Sequence, residues 1–275
     1  MPALQQKRER RIAPARSDKA EATGGAPARP RRTDLAELAY NRLEALIANC
    51  TLRPGLPVSI QELQAYTELG RTPTHQAVQR LAADTLLRIR PRHGLRIAPV
   101  DLARERTLVA LRREMERFVV RLASERLTAS HRNQILHLAG RLREEAASMS
   151  VDAFNMLDRR IDALLVAAAG EPFLEHTLHP LHIIFRRTGW IYHSCVRPKE
   201  GLRSSIECHL DILDAVQARN AREAAAAADR LVGFSGGMLD VLENEGDPAL
   251  FDITIEPEPP ATGRERGHTS RGTYP

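Results

Sequence analysis

The chain has 275 residues, enough for two ordinary domains, and 43% of them are apolar against only 4% aromatic. A composition poor in aromatics favours helices, because sheets draw on aromatic and β-branched side chains. No apolar run of about 18 residues is present, which excludes a membrane-spanning helix, and the three cysteines (Cys50, Cys195, Cys208) are odd in number and lack metal-ligand spacing, so a reducing, cytoplasmic location is expected.

The net charge of +5 is unevenly spread. Residues 1–32 are rich in Arg, Ala, Pro and Gly without apolar periodicity and read as a disordered basic tail. Such an arm can add nonspecific phosphate attraction or can simply be floppy. Residues 245–275 read as a second disordered tail. Between them lie a small region, 33–99, and an all-helical region, 101–244, with the seam at "APVD", where Pro99 ends a strand and Asp101 can cap a helix.

In the small region, "DLAELAYNRLEALIA" places Leu35, Leu38, Ala39, Leu43, Leu46 and Ile47 on one helical stripe. "LRPG" makes a turn. "SIQE" opens a second helix, with Ser59 and Glu62 spaced as a capping box. A tight turn through Gly70 leads to a third helix, for which Thr72 is the expected N-cap and Pro73 the first helical residue. Its buried stripe is Ala77, Val78, Leu81 and Ala82, which leaves Arg71, Thr72, His75, Gln76 and Gln79 near or on an exposed front. In "LLRIRPRHGLRIAP", Leu87, Ile89, Leu95 and Ile97 alternate with Arg88, Arg90 and Arg96, the pattern of a two-stranded hairpin with an apolar inner and a basic outer face.

Three helices and a basic hairpin make a winged helix-turn-helix, whose second motif helix enters the major groove of double-stranded DNA. Gln and Arg suit that helix because each can bond a purine edge bidentately. The stretch "GRTPTHQAVQRLAADTLLRIRPRHGLRI", with "LRPG" before it, resembles the DNA-binding domain of GntR-family transcription regulators. That family has Ser-Arg-Thr-Pro, a hydrophobic residue, Arg-Glu-Ala-Leu and a wing containing Gly. The resemblance implies DNA contacts from Arg71, Thr72, Thr74, His75, Gln76, Gln79 and Arg80, and from Arg92, His93 and Gly94 of the wing. The chain departs from the pattern with Gly70 for Ser, His75 for Arg and Gln76 for Glu, and with Glu68 and Cys50 where Gly is common, so its sequence preference is expected to differ from the family's usual one.

The helical region opens with Leu108, Leu111, Met115, Val119 and Leu122 as an apolar stripe, against which Arg112 lies. An inward-leaning Arg needs an anionic partner, either a ligand carboxylate or a structural Glu. Asp158 and Asp162 sit one turn apart at the edge of an apolar face, and His209 stands among Ile206, Leu210, Leu213 and Val216. Two carboxylates and an imidazole can hold a divalent metal, though solvated carboxylates and a satisfied core His fit the spacing as well. "EHTLHPLHIIFRR" spaces His176, His179 and His182 by three, with Pro180 able to bend the helix and Arg186, Arg187 and Trp190 following as further pocket candidates.

"LRREMERFVVRLAS", the Asp-bearing helix and "ECHLDILDAVQARNAREAA" together resemble the FCD effector-binding domain of the FadR-like subfamily. Many such domains hold a metal through one Asp and three His, and the metal, a divalent ion such as Zn, helps hold an organic acid. On that resemblance Asp158 matches the Asp, Asp162 stands at the first His, His209 matches the second, and Leu231 occupies the third. Arg112, His176, His179 and His182 are the implied effector residues. The expected molecule is therefore mainly α: a winged helix-turn-helix followed by an FCD-like helical bundle. It would act as a ligand-responsive regulator, a repressor, bound as a homodimer to an inverted-repeat operator, with a small organic acid as effector. The alternatives are a regulator whose helical domain only dimerises, and a metal-dependent hydrolase or lyase using Asp158, Asp162 and His209. Against the latter, the sequence has no nucleophile elbow, Gly-rich phosphate loop or HExxH motif.

Overall fold

A computed structural model of the protein describes residues 32–92, 94–248 and 251, with side chains from Asp34 onward. The basic tail and most of the C-terminal tail lie outside the described residues, as does His93. Phe251, inside the stretch read as a tail, is buried in a cluster with Val100, Tyr192 and Leu242.

The small region runs α1 (Arg32–Ala48), β1 (Pro57–Val58), α2 (Ile60–Thr67), α3 (Arg71–Ala83), β2 (Leu87–Arg90) and β3 (Gly94–Ile97). Ser59 caps α2 as its spacing demands: its hydroxyl accepts from Glu62 N at 3.2 Å, and the Glu62 carboxylate accepts from Ser59 N at 2.7 Å. The helix stops at Glu68, whose φ of 52° is left-handed. That conformation costs a side-chain-bearing residue roughly 1–2 kcal/mol, and Arg42 steadies it by reaching the Thr67 carbonyl and the Glu68 carboxylate.

Two details differ from the sequence expectation. α3 starts at Arg71 with Gly70 as its N-cap, not with Thr72. Pro73 is tolerated there because the first N–H groups of a helix have no intrahelical acceptor to lose. The sheet has three strands in the order β1-β3-β2, because two-residue β1, too short to show periodicity, pairs Pro57 with Arg96 and Val58 with Leu95. In the β2–β3 hairpin Leu87 faces Ile97 and both are buried, but Ile89, opposite Leu95, is 43% exposed. The hairpin outruns the core, so its apolar inner face covers only the residues nearest α3.

The helical region comprises α4 (Leu102–Arg126), α5 (Ala129–Glu145), α6 (Val151–Ala169), α7 (Pro172–Ile191), a π-helical turn (Tyr192–Val196), α8 (Arg203–Gln217) and α9 (Ala221–Glu245). The Asp101 side chain caps α4, accepting from Arg104 N at 2.9 Å. α7 runs unbroken through Pro180. α4 packs on the core through Leu108, Met115, Val119 and Leu122 of the expected stripe, with Glu105, Arg112 and Glu116 buried beside them, while Leu111, expected on that stripe, stands exposed with Phe118. The two buried acids pair with α7, as described below.

The two regions share a core. Tyr40, Leu43, Ile47, Leu63, Val78, Leu81, Leu87 and Ile97 pack in one cluster with Ile183 and Ile184 of α7. The seam is stapled as well. Arg187, fully buried, donates to the carbonyls of Ala98 (2.8 Å) and Pro99 (3.3 Å) and lies 3.4 Å from the Glu105 carboxylate. From Arg32 onward the described chain is therefore one compact unit.

Candidate DNA-recognition face and bundle site

Along α3 the buried residues Ala77, Val78 and Leu81 hold the helix to α1, and Arg71, Thr72, His75, Gln76 and Gln79 are left on the exposed side. No side chain caps the amino end of α3. The wing turn places Arg92 in the left-handed region at φ 67° and Gly94 at φ 81°, both exposed. Two members of the expected set point elsewhere. Thr74 is wholly buried, donating its hydroxyl to Gly70 O at 3.0 Å and pairing with the Thr67 hydroxyl at 3.1 Å, so it locks the turn and offers nothing to a duplex. Arg80 turns toward α1, ion-paired with Glu37 and lying 4.0 Å over the Tyr40 ring.

The bundle site is organised by a residue the sequence ranked low. Arg186 of α7 is buried, and its guanidinium donates to Asp158 (3.0 Å), Asp162 (2.7 Å) and Glu44 of α1 (3.3 Å). The other Asp158 oxygen pairs with His209 Nε2 at 2.8 Å, and His209 Nδ1 faces the Ser205 carbonyl at 2.6 Å. His182, the third of the spaced histidines, lies between Glu116 (2.9 Å) and Asp162 (3.3 Å). Arg112 finds a structural Glu: its Nε donates to Glu116 at 3.1 Å, and its guanidinium sits 4.9 Å over the Phe185 ring. His179 is half-buried, 3.5 Å from Glu44, and His176 is exposed.

The electrostatics follow from this packing. Burial opposes the charge on Asp158, but His209 and Arg186 outweigh it and hold the carboxyl well below its usual range. Burial likewise opposes charge on Glu116, yet His182 and Arg112 bring it down from 4.5 to about 2. Asp162 goes the other way: burial dominates and raises it. Burial disfavours the imidazolium forms of His182 and His209, but the neighbouring carboxylates raise both above the usual 6.5.

As placed here, these residues pair internally and do not frame an open metal site. Asp158 is engaged by His209 and Arg186, Asp162 by Arg186 and His182, and His209 by Asp158 and the Ser205 carbonyl, with Arg186 a permanent cation seated between the two carboxylates. Leu231 lines the same small cavity with an apolar side chain. Among the described residues no group of three or more His, Cys, Asp or Glu is placed to hold a metal ion. In this structure the positions of the expected Zn set are taken up by an internal ion-pair network. The signal missed in the sequence was the i, i+3, i+7 spacing of His179, His182 and Arg186, which puts the guanidinium on the same face as the imidazoles.

Two cavities adjoin the network. One, of about 40 Å3, lies inside the bundle among Arg112, His182, Phe185, His209 and Leu231. The other is a cleft of about 880 Å3 with Glu37, Asn41, Arg80 and Asp84 on one wall and Arg159, Glu171, Glu175, His176 and His179 on the other.

The family model for bacterial regulatory proteins of the gntR family matches residues 35–97, and that for the FCD domain matches residues 107–234. The HTH-type transcriptional repressor RspR of Escherichia coli K12 is 28% identical over 181 residues, 66% of this chain and 78% of its own length, and the HTH-type transcriptional regulator YdfH of Shigella flexneri gives the same values. Among solved structures, E. coli McbR/YncC superposes with a TM-score of 0.68 at 20% identity, over 76% of this chain and 99% of its own. A GntR structure from Rhodococcus sp. RHA1 gives 0.57 at 18%, over 76% and 97%. Among the described residues no helix is long and apolar enough to cross a membrane. The exposed polar face on α3, the wing beside it and the helical bundle behind them are therefore those of a transcriptional regulator, and the chain belongs to the GntR family with a C-terminal FCD domain.

Proposed function

We propose that the protein is a ligand-responsive repressor that binds an inverted-repeat operator as a homodimer and answers to a small organic acid. The observation that carries the DNA reading is the α3 front: Arg71, Thr72, His75, Gln76 and Gln79 exposed together at an uncapped helix end, beside Arg92 of the wing. Arg71 and Gln79 are suited to base edges, and the N–H groups at the amino end of α3 to a phosphate. Two copies related by a two-fold axis present two such helices, matching a symmetric operator. Leu111 and Phe118, seven residues apart on α4 and both nearly half exposed, supply an apolar strip for the contact between copies.

A second reading, in which the bundle only dimerises, is favoured by one observation: the inner cavity of about 40 Å3 is too small for an organic acid and its polar groups already pair with one another. The test begins with footprinting on the DNA upstream of the protein's own gene. Arg71→Ala and Gln79→Ala are each expected to weaken specific binding by about 1–3 kcal/mol. Operator binding unchanged in both variants would remove α3 from the groove. Adding metabolites of neighbouring genes to the same footprint then separates a ligand-responsive protein from one that ignores them.

A further inference from the structure

The cleft between the DNA-binding unit and the bundle is built unlike a passive gap. Behind its floor the protein already binds a carboxylate: Glu44 of α1, 1% exposed, is held by Arg159 (2.9 Å) and Arg186 (3.3 Å), with His179 at 3.5 Å. Burial opposes the charge on Glu44, but these partners win and keep its carboxyl below the usual range. Of the three, Arg186 is locked by Asp158 and Asp162. Arg159 is different: about a third exposed, it reaches across the cleft from α6 to Glu44 and to the Asn41 side-chain oxygen, both on α1. His176, one helical turn before His179, stands exposed on the same wall.

We propose that this cleft is a binding site for a small organic anion, whose carboxylate takes Arg159, His176 and His179 as partners and thereby withdraws Arg159 from α1. The proposal deepens the ligand-responsive reading and rests on it. A ligand can shift an equilibrium only through different affinity for its two states. Here the difference is explicit, because the arrangement in which Arg159 bridges to Glu44 and Asn41 is the one with less cation to offer the ligand. The tie it loosens holds α1, which carries the packing surface of the recognition helix, to the bundle. The volume of about 880 Å3 suits a molecule of metabolite size, whereas the inner cavity admits little more than a water.

The test uses the full chain with acetate, succinate and citrate as probes, against sodium chloride at matched ionic strength. At least one acid is expected to raise the wild-type Tm, by roughly 3–6 °C at ten times its dissociation constant, and to speed amide exchange along α1. Arg159→Gln and His176→Gln, both at the surface, should cut that shift at least several-fold, whereas Arg112→Gln in the inner cavity should keep it. A shift that survives both surface variants overturns the cleft site and leaves the ligand-responsive reading standing. No shift with any of the three acids in the wild type overturns both.

Discussion

Arg186→Gln removes the one guanidinium that holds Glu44, Asp158 and Asp162 together at 2.7–3.3 Å. Deleting one partner of a buried ion pair typically costs about 3–5 kcal/mol, because a charge is stranded without solvent. A stranded carboxylate has an escape, which is to take a proton. At pH 7 that costs about 4 kcal/mol for a group with an ordinary carboxyl pKa near 4, and about 1.4 kcal/mol less for each pH unit of acidification. The expected loss is therefore about 3–5 kcal/mol at pH 7, or roughly 6–20 °C in Tm for a unit of this size, shrinking by about 2–3 kcal/mol at pH 5. The sign is that of a group whose folded pKa is raised above its unfolded value, whose contribution is present in acid and lost as pH rises. Urea unfolding of wild type and variant at pH 5 and pH 7 measures the difference directly. An equal deficit at both pH values would mean that no buried carboxylate was stranded, and Arg186 would not be the cation on which the network depends.

Stability of the wild-type protein should be greatest between about pH 5 and 6.5. Glu116, held below its usual 4.5 by His182 and Arg112, contributes stability present above its unfolded pKa and lost as pH falls through its folded value. His182 and His209, raised above 6.5, contribute stability that is complete below 6.5 and lost as pH rises through their folded values. A Tm flat from pH 4 to 9 contradicts this. Thr74→Val should lower stability by about 1–2 kcal/mol through loss of the Gly70 and Thr67 hydrogen bonds, yet leave the ranking of operator sequences unchanged; altered base preference would place Thr74 at the DNA after all. Leu111→Glu with Phe118→Glu should convert a dimer to monomers in sedimentation, and a dimer that persists assigns the contact to another face.

Much of the local structure was legible because it obeys local rules. Ser59 and Glu62 cap α2, Asp101 caps α4, and residues 87–97 form the expected hairpin with Leu87 and Ile97 turned inward, each as spacing alone required. Gly70 displaced Thr72 as N-cap because backbone conformation, not side-chain aptitude, decided where α3 begins. Thr74 read as a DNA contact because sequence spacing cannot tell which hydroxyl of a polar run turns inward. On α4, Leu108, Met115, Val119 and Leu122 pack on the core as their spacing predicts, but Leu111 is exposed and the buried face also carries Glu105 and Glu116 beside Arg112. The partners of Glu105 and Glu116, namely Arg187, Thr188 and His182, lie some 66 to 83 residues away in the chain.

Residue types and short spacings therefore determined the elements, the recognition helix with its wing, and the family resemblance, since hydrogen-bond capping, amphipathic period and turn chemistry act over a few neighbours. Only the tertiary structure decided the character of the bundle site. A carboxylate's partner is set by which helices pack, and here the packing of α7 against α1, α4 and α6 put a guanidinium between Asp158 and Asp162 and tied it to Glu44. Charge in a buried site is governed by neighbours distant in sequence, because desolvation makes each unpaired ion too costly to leave alone.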